Sequence, residues 1–210
     1  MPHAVTDAVS GTGRLVVLAS GTGSLFDALV AAANERDGVE VVALVCDRPD
    51  AGAVAVAAGH GVPATLVPLL DPQRRTDWDV EVAESIGAHR PDLVVSAGFM
   101  RLLGPAVLRR FANRVINTHP ALLPAFPGVH AVRDALAYGV RVTGCTVHLV
   151  DSGVDTGPVI AQRAVEVHPD DDEASLHERI KQVERVLLPE VVFAMLAEGW
   201  TVNGRRVTIP

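Results

Sequence analysis

Aromatic residues are scarce in this chain: one tyrosine, two tryptophans and five phenylalanines among 210 residues. Proteins that hold single-stranded nucleic acid stack its bases on such rings, so the shortage argues against that role. Positive charge is short as well. Eighteen basic residues face 25 acidic ones, for a net charge of −7, and no basic block stands out. A duplex binder needs a basic face to neutralise phosphates, so no nucleic-acid partner is expected. The longest apolar runs stop short of the roughly 20 residues that span a bilayer. The first dozen residues, MPHAVTDAVSGT, show no basic start followed by an apolar stretch, so neither a signal peptide nor a membrane partner is expected. Cysteine is limited to Cys46 and Cys145, each inside an apolar strand-like run. They read as buried thiols rather than a disulfide framework, in keeping with a reducing cytoplasm.

Hydrophobic residues, in contrast, make up 49% of the chain against 20% charged, ample for a core. Residues 1–12 are small, polar and aperiodic, and are expected to form a disordered leader. Short β-branched runs then alternate with longer Ala-rich segments. Leu15–Ala19, Val39–Cys46, Thr65–Val67 and Leu93–Ala97 read as strands buried on both faces. Ser24–Asn34, Ala51–Gly59, Arg74–His89 and Pro105–Phe111 read as the helices between them. That alternation predicts an α/β, Rossmann-like fold with a mostly parallel sheet flanked by helices.

The second half has a different texture. Val115–Asn117 reads as a short strand, Leu122–Val129 as a Pro/Gly-rich loop, and Ala131–Tyr138 as a helix stopped by Gly139. Two strands, Cys145–Val150 and Val159–Val167, flank the turn DSGVDTGP and are expected to be antiparallel. A long amphipathic helix follows from about Asp172 to Ala197, with Asp170 and Glu173 as its expected capping box and a kink expected at Pro189. Asn203-Gly204 signals a type I′ hairpin in the tail.

Two constellations carry chemistry. Strand RLVVLAS runs into Gly21-Thr22-Gly23-Ser24, just where a helix begins. Free amide groups at a helix start, with glycines permitting close approach, make an anion site. A third glycine of the dinucleotide fingerprint is missing, since Leu25-Phe26 occupy that region, although Asp47 ends the second strand as a ribose-binding acid would. The second constellation is Asn117-Thr118-His119-Pro120 at a strand end, where open α/β sheets place ligands. Asn117 and His119 lie two apart, on one face, so an amide donor and an imidazole could together hold an oxyanion and pass a proton. Asp155, in the DSGVDTGP turn, is the candidate carboxylate for keeping that imidazole charged. No spacing of His, Cys and acidic residues marks a metal site, and none is expected.

The segment NTHPALLPAFPGVHA, with SAGFMRLL before it and GCTVHLVDSGVDTGPVIAQ after it, closely resembles the folate-dependent formyltransferases, in particular the branch serving purine synthesis. The likeness runs from Arg14 to Val207. It implies one formyltransferase domain over residues 13–210. It also implies transfer of a formyl group from the co-substrate 10-formyltetrahydrofolate to the amine of 5′-phosphoribosylglycinamide. By the same resemblance, His119 is the proton donor, Asn117 stabilises the oxyanion and touches folate, and Asp155 supports the histidine and orders a water. Gly23, Ser24 and Leu25 hold the ribonucleotide phosphate. Met100, Arg101, Leu102 and Leu103 line the folate pocket, Arg75 is a distal folate contact, and Glu184 receives the glycyl amine. His130 and His148 lie near these landmarks with no assigned role. Two positions depart from the family pattern: Leu25 replaces a frequent Asn, leaving a backbone contact only, and Ala121 replaces a usual Ser. The alternatives are another formyl-transferring or formyltetrahydrofolate-hydrolysing enzyme of this fold, or a non-catalytic nucleotide-binding module. Monomer and homodimer both remain open.

Overall fold

The computed structural model describes residues 4–210. Its main sheet has seven strands in the order β4-β3-β2-β5-β6-β7-β8. These are β2 (Gly13–Ala19), β3 (Val39–Cys46), β4 (Ala64–Leu66), β5 (Leu93–Ser96), β6 (Val115–His119), β7 (Val142–Leu149) and β8 (Val159–Glu166). The first five pair in parallel, whereas β7 and β8 run antiparallel, as expected from the change of texture in the second half. Helices α1 (Ser24–Asn34), α2 (Gly52–His60), α3 (Arg75–Ala88), α4 (Pro105–Arg110), α5 (Ala131–Tyr138) and α6 (Glu173–Glu198) complete the α/β framework.

Strand parity divides the core in two. Leu15, Val17, Leu93, Val95 and Ile116 pack with α1, α2 and α6, while Val16, Leu18, Val94 and Val115 pack with α3 and α4. Helix α1 buries Phe26, Leu29, Val30 and Ala33, the i, i+3, i+4, i+7 spacing of one apolar stripe. Helix α4 starts at Pro105 and is capped from afar, because both carboxylate oxygens of buried Asp79 accept amide protons, from Gly104 and Ala106, at 2.7 Å. The chain leaves β2 toward β3 and β4 on one side, then returns to build β5 and β6 on the other. The resulting switch point, between the ends of β2 and β5, is where such sheets open a ligand crevice.

Three local expectations are corrected. Ala4–Thr6, placed in the disordered leader, form β1, which pairs antiparallel with β9 (Trp200–Asn203). Three residues carry too little pattern to announce a strand; the partner, almost 200 positions away, makes it one. With β10 (Arg206–Thr208) these strands form a second, three-stranded sheet. Residues 1–3 of the expected leader lie outside the described residues. The capping box of α6 is Asp172 with Ser175, not Asp170 with Glu173, since the Asp172 carboxylate accepts from the Ser175 amide at 2.8 Å. As expected, α6 runs on past Pro189, which lies inside it, to Glu198. The hairpin turn is Gly204-Arg205, because Asn203 pairs with Arg206. Of those two only Gly204 has positive φ, at 60°, the type II′ pattern rather than I′.

Candidate active site

Three segments meet at the switch point. The Gly21–Ser24 turn leaves β2, Ala97–Leu103 leaves β5, and Asn117 and His119 end β6. Together with the 150–155 loop and one face of α6 they enclose a cavity of about 570 Å³. Parity on β6 sends Asn117 and His119 to one face of the sheet and Thr118 to the other. Glu184 reaches the cavity from α6, on Thr118's side. The cavity therefore straddles the sheet end, with the imidazole and the carboxyl approaching it from opposite faces.

His119 is 4% exposed. Its Nε2 donates to the Phe126 carbonyl at 2.7 Å, and its Nδ1 stands 3.3 Å from Oδ2 of Asp155. Both ring nitrogens thus face oxygens that only accept, and the doubly protonated ring is the form that donates to both. Asp155 is itself held by the Gly128 amide, which donates to Oδ2 at 2.8 Å. The three residues expected to act together are brought together, and His148 joins them. Its Nε2 lies 3.2 Å from Nδ2 of Asn117 and 3.7 Å from Oδ1 of Asp155. Burial pushes the His148 pKa down, ahead of a Leu149 carbonyl contact and the Asp155 charge, which act the other way.

Gly23 caps α1 with φ 84°, and a Cβ there would meet Cα of Ala53 at 2.6 Å, so only glycine fits this turn. No side chain caps the helix, which leaves its first amides without a side-chain acceptor. Gly23, Ser24 and Leu25 all line it, as do Lys181 and Glu184 of α6. Glu184 is 4% exposed, and burial raises its pKa to about 7 against the opposing pull of the Thr118 hydroxyl, Lys181 and Arg185.

Met100, Arg101, Leu102 and Leu103 form the opposite wall. A buried network fixes it to the sheet: Ser20 Oγ donates to Asp47 at 2.6 Å and accepts the Met100 amide at 2.9 Å. Arg101 Nε donates to the other Asp47 oxygen at 2.6 Å. Both oxygens of Asp47 are thereby engaged, which takes away the acid that a dinucleotide's ribose would use. Arg75 does not line the cavity. It stacks 4.5 Å over the ring of Trp78 and donates to the Leu102 carbonyl, bracing the wall from behind.

Sequence reasoning assigned no role to His148 and did not single out Lys181. Lys181 had a readable signal, three positions before Glu184 on one helix face. His148 had only its antiparallel register opposite Asn117, which strand pairing alone reveals. Among the described residues, no group of three or more His, Cys, Asp or Glu side chains is placed to hold a metal ion, and no helix is long and apolar enough to cross a membrane.

Residues 13–192 match the formyl transferase family profile. A phosphoribosylglycinamide formyltransferase of Mycobacterium tuberculosis is 56% identical over 200 residues, covering 95% of this chain and 93% of its own. Its counterpart in Bacillus subtilis is 37% identical, over 87% of this chain and 94% of its own. The crystal structure of glycinamide ribonucleotide transformylase 1 from Symbiobacterium toebii superposes with a TM-score of 0.89 at 41% identity, covering 94% of each chain.

Proposed function

The chain belongs to the formyl transferase family, and on that premise we propose that it transfers the formyl group of 10-formyltetrahydrofolate to the amine of 5′-phosphoribosylglycinamide. It is a one-carbon transferase of purine biosynthesis. The observation that carries the reaction is the placement of His119 between two acceptors, with Asn117 beside it on the same strand face.

Chemically, the neutral glycyl amine attacks the formyl carbon, and the carbonyl oxygen becomes a tetrahedral oxyanion. Asn117 and the His119 imidazolium are the donors for that charge, in a buried setting where such donors act strongly. The Nε2 proton now directed at the Phe126 carbonyl is the one assigned to the substrate, so productive binding exchanges one acceptor for another. Collapse breaks the bond from carbon to the folate nitrogen. That nitrogen leaves with a proton, while the former amine loses one, through His119 or a water beside Asp155. No covalent enzyme intermediate is involved, so alignment and electrostatics carry the rate.

The two substrates divide the cavity. The ribonucleotide phosphate takes the amides of Gly23, Ser24 and Leu25 at the start of α1, with Lys181 as countercharge. Glu184 anchors the glycyl amine through a charge-assisted hydrogen bond. The folate lies along Met100–Leu103 and reaches Asn117, and Arg75 supports that wall. Folate is a co-substrate consumed at each turnover, and no step calls for a metal. The partners are these small molecules alone, since a net charge of −7 offers nucleic acid no basic face. One chain supplies every residue of the site, which suits a monomer or a homodimer working in the cytoplasm.

Ligand-dependent melting tests the assignment, because a ligand that binds only the folded state must stabilise it. Phosphoribosylglycinamide and a folate analogue each raise the melting temperature, and NAD does not. A shift with NAD alone would favour the nucleotide-binding module instead.

A further inference from the structure

The loop that carries Asp155 holds a strained backbone. Asp155 has φ 53°, the left-handed region that residues with side chains avoid unless their surroundings over-determine it. Before Asp155 the loop clasps itself, for Oδ1 of Asp151 accepts from the Gly153 amide at 3.0 Å and from the Thr156 hydroxyl at 2.6 Å. After Asp155 the restraint comes from elsewhere. The carbonyl of Thr156 accepts from Nη1 of Arg205 at 2.9 Å, and that of Gly157 faces Nη2 at 3.5 Å. Arg205 sits in the turn between β9 and β10, in the other sheet, and beyond the residues 13–192 that match the family profile. Its base is firm, because β9 pairs on both sides and Trp200 is buried, its Nε1 donating to the Asn113 carbonyl at 3.0 Å.

Arg205 is exposed at the hairpin tip, yet it reaches two consecutive carbonyls of the loop that carries Asp155. A planar fork can hold two acceptors at once, which an ammonium group cannot do with the same geometry. We propose that Arg205 is a positioning residue for the transfer reaction, fixing the Thr156 and Gly157 carbonyls and through them the stance of Asp155 toward His119. On this account Arg205 acts on the reaction from the C-terminal hairpin without touching substrate. The proposal rests on the reading of Asp155 as the partner of His119.

Steady-state kinetics of Arg205→Ala, Arg205→Lys, Arg206→Ala, Asp155→Asn and the Asp155→Asn/Arg205→Ala pair test it. Small displacements of a catalytic group are costly, so Arg205→Ala lowers kcat about 3- to 10-fold. The ribonucleotide KM stays within about 2-fold, because the start of α1 and Glu184 are untouched, and Arg205→Lys recovers part of the loss. Arg206, which makes no side-chain hydrogen bond or ion pair among the described residues, serves as the control, and Arg206→Ala matches the parent. In the Asp155→Asn background, Arg205→Ala has no further effect, since the residue it positions is already disabled. Parental kcat in Arg205→Ala would overturn the proposal. So would the same fold-loss in both backgrounds, or an equal loss in Arg206→Ala. Parental kcat in Asp155→Asn would instead remove the reading of Asp155, and the proposal with it.

Discussion

Nδ2 of Asn117 lies 3.2 Å from Nε2 of His148, and the neutral His148 tautomer with its proton on Nδ1 makes the amide the donor. Nδ1 of His148 lies 2.9 Å from the Leu149 carbonyl, which only accepts, so Nδ1 carries the proton. Burial lowers the His148 pKa and favours the neutral ring, which leaves Nε2 with a lone pair. The amide of Asn117 must therefore present its nitrogen to His148. His148→Phe keeps the bulk but removes the acceptor and frees that amide to turn. Its kcat is expected to fall about 10-fold with small changes in KM, a loss fitting one misaligned donor. Parental kinetics would show that Asn117 is oriented by other means.

His119 and Asp155 form one proton-handling unit. His119→Ala and Asp155→Asn each lower kcat by about 100-fold or more, while circular dichroism stays that of the folded protein. The double variant is expected to lose little beyond the worse single one. A loss equal to the product of the two would mean that they act separately.

Glu184 couples stability to pH. Its carboxyl titrates near 4.5 in the unfolded chain and near 7 in the folded one, where burial disfavours the charge. Below pH 4.5 both states hold the proton, and between those values only the folded state does. Stability therefore falls as pH rises through that window, and the buried charge costs roughly 3 kcal/mol above it. Glu184→Gln is expected to be more stable than the parent at pH 8, with the gap closing toward pH 5, in urea unfolding. The same change raises the ribonucleotide KM, lowers kcat and leaves folate affinity nearly unchanged. A parental ribonucleotide KM would remove Glu184 from amine recognition.

The two glycines of the first turn should behave differently. Space beside Gly21 is open, whereas a Cβ at Gly23 meets Cα of Ala53 at 2.6 Å. Gly21→Val is expected to keep the melting temperature within about 3 °C and raise the ribonucleotide KM about 10-fold or more, with folate affinity retained. Gly23→Val loses stability first, through strain and overlap. Equal weakening of both substrates in Gly21→Val would remove this turn from phosphate binding.

What could be read from sequence follows the range of the forces involved. The alternation of buried strands with helices is local, and so β2, β3 and β5 emerge within a residue or two of their ends. Gly23 and the Asn117–His119 spacing were legible because the short-range rules of turns and strand parity govern them. The strand Ala4–Thr6 was not, because its identity lies in its pairing with Trp200–Val202. Nor was the capping of α4 by Asp79, the setting of His148 opposite Asn117, or the reach of Arg205 to Thr156. Each of these joins positions 25 or more residues apart. Glu184 shows both sides: helical spacing placed it near the buried stripe, but the Thr118 hydroxyl it faces comes from strand β6.

The most direct measurement follows the fate of the formyl group. Purified protein is incubated with 10-formyltetrahydrofolate, with and without phosphoribosylglycinamide, and both formylated ribonucleotide and free formate are quantified. The account predicts one formylated ribonucleotide per tetrahydrofolate released, negligible formate, and no turnover when the ribonucleotide is withheld. Steady release of formate in its absence would contradict the account and make the protein a hydrolase.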